Sequence, residues 1–258
     1  MQATRGPLPS TLAACLFCTS LLCLPGCRKE AAPAPQNTIT VVMDTVAVPP
    51  GMVQDLDGHL YPTTVIGGKR WMAANLKTAH YANGDPIPYV PAAAAWEQLS
   101  SGAWSDYNND PNYEISFGKF YNWYTVMDPR NVCPSGWHVP SDAEWQQLEL
   151  ALGMPPNEAG AMSLRGVGAN VGGQLKALPL WDAPNAGADN SSGFTAYPSG
   201  VRANTGNSFF AGAQANWWCT TTVDSTTAFQ RRLYYSSGGI TRFSMLKGFG
   251  SSVRCVQD

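Results

Sequence analysis

Charge is scarce in this chain. Asp, Glu, Lys and Arg make up 13% of its 258 residues, and the formal net charge at pH 7 is −2. A balance so near neutral, with no long block of one sign, leaves no electrostatic footprint for nucleic acid. Histidine is scarcer: His59, His80 and His138 are the only three, and each is isolated in sequence. His-Glu-x-x-His, Gly-x-Ser-x-Gly, a phosphate-binding glycine loop and paired-cysteine zinc spacing are all missing. These absences argue against an enzyme, and no cofactor or metal ligand set is expected. A membrane span needs about 20 consecutive apolar residues. The run from Leu12 to Leu24 is too short and leads into Pro25-Gly26. No internal repeat is found.

What is present begins with a three-part export signal over residues 1–26. Arg5 supplies positive charge, Leu12 to Leu24 an apolar neutral core, and Leu24-Pro25-Gly26-Cys27 a cut site. The last four residues resemble a lipobox, with Leu24 at −3, Gly26 at −1 and Cys27 as the lipid-bearing first residue. Cys18 and Cys23 follow Phe17 and Leu22, residues too large for −1. Cys15 fits locally but leaves almost no apolar core upstream. Residues 27–50 then form a tether whose Ala31-Ala32-Pro33-Ala34-Pro35 stretch favours an extended, polyproline-like chain. Fully extended, residues 28–50 reach up to about 70 Å. The expected location is the bacterial cell envelope, with the chain lipid-anchored at the outer membrane and displayed toward the surface.

Residues 51–258 suit one large domain. The chain has 9 Trp, 10 Tyr and 25 Gly, so an aromatic core with much loop is expected. Without the signal and Cys27, Cys133, Cys219 and Cys255 remain. One disulfide and one free thiol is the simplest arithmetic, and an oxidising compartment permits the bridge. The residues alone leave all three pairings open.

Asp57-Gly58 and Gly67-Gly68 mark hairpin turns between β-prone runs. A calcium-loop reading of Asp55-x-Asp57-Gly58 fails, because position 12 is Ile66 and not an acid. Pro91 to Leu99 reads as a short helix, and Phe117 to Val126 as an aromatic strand or strand-to-helix segment. Ser141 with Glu144 forms a capping box. Trp145, Leu148 and Leu152 follow on one helical face, and Gly153 and Pro155-Pro156 end that helix. Beyond Gly172 the pattern becomes loop-rich. β-Prone segments at 217–220, 231–235 and 251–256 close the chain. The expected class is α+β, with short antiparallel strands, about two main helices and long loops.

These motifs resemble the Fibrobacter succinogenes major paralogous domain, a family common in Bacteroidota lipoproteins. The matching stretches are the Asp57-Gly58 hairpin, Trp71 to Lys77, Tyr121 to Tyr124, Cys133 to Trp145, Gly172 to Lys176, Ser192 to Phe194, Phe210 to Trp218, and Gly250 to Val256. They follow the family order over about residues 52–257. The resemblance implies a single C-type-lectin-like domain and a bridge between Cys133 and Cys255. Where the family has Trp-Trp-Ser, this chain has Trp217-Trp218-Cys219, which implies a buried, unpaired thiol at Cys219.

Lectin-like folds carry long variable loops, and loops carry binding. Two polar-aromatic loops are the ligand-binding candidates. One holds Trp104, Asp106, Tyr107, Asn108, Asn109 and Asp110. The other holds Trp181, Asp182, Asn185 and Asn190. Aromatic faces suit sugar rings, and carboxylate or amide oxygens suit hydroxyls or calcium. Calcium is not indicated by motif, since Ala183-Pro184-Asn185 lacks the acid of Glu-Pro-Asn and no Trp-Asn-Asp occurs. The expected role is recognition or adhesion toward a glycan or a surface protein. A structural or assembly role in an appendage or envelope complex is the alternative. A formylglycine-generating-type enzyme is a second alternative that would need Cys219 accessible and activated. His138 is expected to be a satisfied core histidine.

Overall fold

The structure is a computed structural model that describes residues 47–258. The signal, Cys27 and most of the tether lie outside the described residues.

The chain opens with β1 (Met52–Gln54), β2 (Leu60–Ile66) and β3 (Lys69–Met72), an antiparallel meander turning at Asp57-Gly58 and Gly67-Gly68. Gly58, Gly67 and Gly68 all have positive φ, the conformation such tight turns demand. Then come α1 (Ala93–Glu97), β4 (Trp104–Ser105), α2 (Asn112–Phe117), β5 (Phe120–Tyr121) and α3 (Trp123–Val126). The aromatic segment thus does pass from strand to helix. Asn122 caps α3 by accepting from Thr125 N. After β6 (Trp137–His138), Ser141 and Glu144 close their capping box on α4 (Asp142–Ala151). A cap of this kind is worth about 1 kcal/mol. Trp145 and Leu148 are buried on its inner face.

The second half runs through α5 (Pro156–Ala159), β7 (Ser163–Arg165), α6 (Val171–Leu175), β8 (Val201–Arg202), β9 (Ser208–Phe209), β10 (Gln214–Thr222), β11 (Thr227–Tyr234), β12 (Ile240–Leu246) and β13 (Val256–Gln257). The strands form antiparallel sheets in the orders β1-β2-β3-β13-β6 and β10-β11-β12-β7, with two-stranded ribbons β4-β5 and β8-β9. The class is α+β, strand-dominated, with short helices. Helix α6 was not legible in the sequence, because glycines open it. They are required by close approach: a Cβ on Gly172 would lie 2.0 Å from Gly239 O, and one on Gly173 2.0 Å from Gly187 O.

Strand β10 divides the core between two clusters, since successive side chains point to opposite faces. Trp217 joins Trp71, Trp145 and Phe194. Trp218 joins Tyr61, Met72, Tyr121 and the disulfide. Cys133 and Cys255 are bonded, as the family resemblance implied, with Cα atoms 5.9 Å apart. The bridge pins the segment before β6 to β13, whose Val256 pairs with both Trp71 and His138.

A buried ionic network fastens α4 to the second sheet. Arg231 and Arg242 sit opposite each other on β11 and β12. Asp142 Oδ1 accepts from Arg231 Nη1 at 2.7 Å and its Oδ2 from Arg242 Nη2 at 2.8 Å. Glu149, fully buried, pairs with Arg231 and Arg165. Removing one member would strand a charge in the core.

Candidate functional site

Three loops meet at a polar cleft of about 400 Å³, lined by Pro91, Ala92, Ala93, Asn108, Asn109, Gly206, Asn207 and Ser208. The first wall is the entry to α1. The second is the turn after β4, where Asn108 and Asn109 take φ of 51° and 58°. Asparagine enters this left-handed region more readily than most residues with a Cβ. The third wall is the β8–β9 hairpin, closed by Ala203 N donating to Asn207 O at 2.8 Å.

Arg202 organises all three walls from beneath. Its residue is 1% exposed, and its ring-like guanidinium stacks on Trp96, 4.4 Å from the ring centroid. Nη1 and Nη2 donate to Val90 O at 3.0 Å and Pro91 O at 2.7 Å in the first wall. Nε donates to Gly206 O at 2.9 Å in the third, and Nη1 reaches Asn109 Oδ1 at 3.4 Å in the second. Burial lowers its pKa to about 10, so it stays charged at neutral pH. Two further contacts lock the walls together. Asn108 N donates to Ser208 Oγ at 3.2 Å. Gly206 lies so close to the first wall that a Cβ there would be 2.3 Å from Ala93 Cα. The cleft is therefore preformed.

Directly after Ser208 come two exposed aromatics, one at the end of β9 and one beyond it. Phe209 and Phe210 are 45% and 52% exposed, with ring centroids 5.9 Å apart. Phe210 has φ of 68°, a strained conformation for a bulky side chain.

Of the ten residues expected from the two loops, only Asn108 and Asn109 line this cleft. Trp104 is half-buried, donates from its indole to Ile87 O at 3.0 Å and packs on Tyr89. Asp106 is 4% exposed, and burial raises its carboxyl pKa while Lys119 opposes. Its Oδ1 has no hydrogen-bond partner. Tyr107 stacks on Tyr113, and Asp110 holds Asn112 N at 3.0 Å. In the second loop Trp181 is buried with its indole donating to Ala196 O at 2.9 Å, so it offers no open face to a sugar. Asp182 is exposed, and its backbone N donates to Gly212 O. Asn185 and Asn190 spend their amides on Ala177 O, Leu178 O and Thr195. That loop is internally tied. Asn207, Ser208 and Arg202 were missed by sequence reasoning. The polar turn run Asn204-Thr205-Gly206-Asn207-Ser208 before Phe209-Phe210 was the available signal.

Other reactive groups are committed to the fold. Asp55, Asp57 and His59 gather within 4.8 Å in the β1–β2 turn. Asp55 accepts from His59 N at 2.9 Å and from the Tyr61 hydroxyl, and Asp57 accepts from Thr78 Oγ1 and Ala79 N. These bonds lock the turn to the segment after Leu76. His138 bridges Asp258 and Glu144, half-buried on the edge strand β6 rather than in the core. Cys219 is free and fully buried, and burial pushes its thiol up to about 12 despite Arg231 nearby.

The fold and cleft define a disulfide-bridged α+β domain with a preformed polar loop site. The chain belongs to the Fibrobacter succinogenes major domain family, whose model matches residues 65–257, from within β2 into β13. No curated protein and no solved structure gives a significant match.

Proposed function

We propose that this is a lipid-anchored envelope protein, held by Cys27 at the outer membrane. Its C-type-lectin-like domain serves recognition or adhesion at the cell surface and performs no catalysis. The ligand is a glycan or a surface protein. One observation carries the reading: the loop face presents a cleft that Arg202 preorganises, and exposed Phe209 and Phe210 follow its residue Ser208 in the chain. Preorganisation lowers the entropic cost of binding, and exposed aromatics beside amides suit both sugar rings and partner surfaces. Cys219, buried and protonated, lacks the setting of a nucleophile. A glycan-array screen tests the reading, run once with calcium and once with chelator. Reproducible binding is expected. Silence in both conditions from a folded, disulfide-bonded sample would refute glycan recognition.

A second reading, an assembly component of an envelope complex, draws on exposed apolar residues. Leu178 and Leu180 are 66% and 51% exposed, and their loop is joined to the Phe210 loop by Asp182 N donating to Gly212 O. Co-purification of a stoichiometric partner from cross-linked cells would support it.

A further inference from the structure

We propose, on the footing of the recognition reading above, that the cleft takes an uncharged saccharide without a metal ion, held by Asn108, Asn109, Asn207 and Ser208.

The chemistry of the lining carries this. None of the eight lining residues has an ionisable side chain. A divalent cation needs several hard oxygen donors, usually with carboxylates among them. The nearest acids along the chain are unsuited: Asp106 is buried outside the lining and Asp110 is spent on Asn112. An anionic sugar fares no better. Arg202, the cation that ties the cleft walls together, points its donors at Val90 O, Pro91 O, Gly206 O and Asn109 Oδ1, all neutral. An incoming carboxylate or sulfate would lose water and find no free ion-pair partner.

What the walls do offer is neutral donors and acceptors. The Asn108 and Asn207 side chains make no hydrogen bond within the described residues, and both residues are exposed. Asn109 accepts at Oδ1 from Arg202, which fixes the amide and leaves its Nδ2 donors free. Ser208 Oγ accepts from Asn108 N and keeps its own proton to donate. Carboxamides and a hydroxyl, each both donor and acceptor, match sugar hydroxyls, which are both as well. Phe209 and Phe210 stand next in the chain, both exposed and outside the cleft lining.

The test is a calorimetric titration of the full chain in EDTA with two panels. One panel holds neutral oligosaccharides derived from glucan, mannan, galactan and xylan. The other holds uronate, sialylated and sulfated oligosaccharides. The expected result is binding from the neutral panel only, unchanged when calcium replaces EDTA. The double variant Asn108→Ala, Asn207→Ala should weaken it about 10-fold or more, the scale of two lost neutral hydrogen bonds. Both positions are exposed, so the variant's thermal midpoint should fall by no more than about 2–8 °C, the cost of alanine at the left-handed φ of Asn108, and report an intact fold. Binding from the acidic panel alone, or binding lost in EDTA, would overturn the inference while leaving glycan recognition standing. Neutral binding that the double variant leaves untouched would overturn the assignment to this cleft. Absence of binding from both panels would sink the inference and glycan recognition together.

Discussion

Replacing Cys133 and Cys255 together by alanine should destabilise the domain by about 5 kcal/mol. The bridge joins residues 122 apart. In the chain-entropy model the cost of closing a loop grows with the logarithm of its length, which gives about 5 kcal/mol here. For a domain of this size that corresponds to a midpoint lower by about 10–20 °C. Alanine is the better replacement, because both cysteines are buried, at 1% and 0% exposure. A serine hydroxyl there would add its own desolvation cost. The assay is equilibrium urea unfolding followed by tryptophan fluorescence, parent against variant. The slope m should rise as well, since an uncrosslinked unfolded chain exposes more surface. A loss under about 1 kcal/mol would refute the reasoning. It would mean that packing of Val256 between Trp71 and His138 holds β13 without covalent help.

The buried network, Cys219 and α6 each yield a further test. Burial opposes ionisation of Asp142, but hydrogen bonds and charge from Arg242 and Arg231 hold its carboxyl down at about 2. A depressed carboxyl stabilises fully above the ordinary carboxylate range near pH 4 and loses that contribution as pH falls toward 2. Asp142→Asn should therefore cost about 3 kcal/mol or more at pH 7 and flatten the urea midpoint between pH 5 and pH 2. A parallel profile for parent and variant would contradict this. Cys219 should resist iodoacetamide at pH 8 in the native protein and react once urea is added, read by intact mass; modification of the native protein within minutes would show an accessible thiol. Gly172→Ala should destabilise by about 1–3 kcal/mol in a circular dichroism melt, although alanine in an open helix gains about 1 kcal/mol. A stabilised variant would mean that Gly239 O gives way to a Cβ that would otherwise lie 2.0 Å from it.

How much was readable beforehand follows from the range of each interaction. Helix α4 was legible because Ser141, Glu144, Trp145 and Leu148 signal within eight residues of chain. The two glycine turns of the β1–β3 meander were legible for the same reason. Helices α2, α5 and α6 have four to six residues, too few to show a period. Arg231 and Arg242 meet Asp142 across 89 and 100 residues, and nothing local marks such a pairing. The cleft splits likewise between residues 91–93, 108–109 and 206–208. Composition singled out Asn108 and Asn109 because a polar aromatic loop is visible in sequence. It singled out Trp181 for the same reason, and there the indole turned inward to Ala196 O. A tryptophan in a loop cannot declare from sequence which way it faces.

Glycan binding at the cleft is tested by titrating the first array-positive saccharide into isotopically labelled protein, followed through the asparagine side-chain amide, tryptophan indole and methionine methyl resonances. The expected result is that Asn108, Asn109 and Asn207 shift together and saturably, with Asn185 and Asn190 unmoved. Shifts confined to the separate groove of about 450 Å³ lined by Trp123, Tyr124 and Met127, with those three asparagines still, would contradict the assignment.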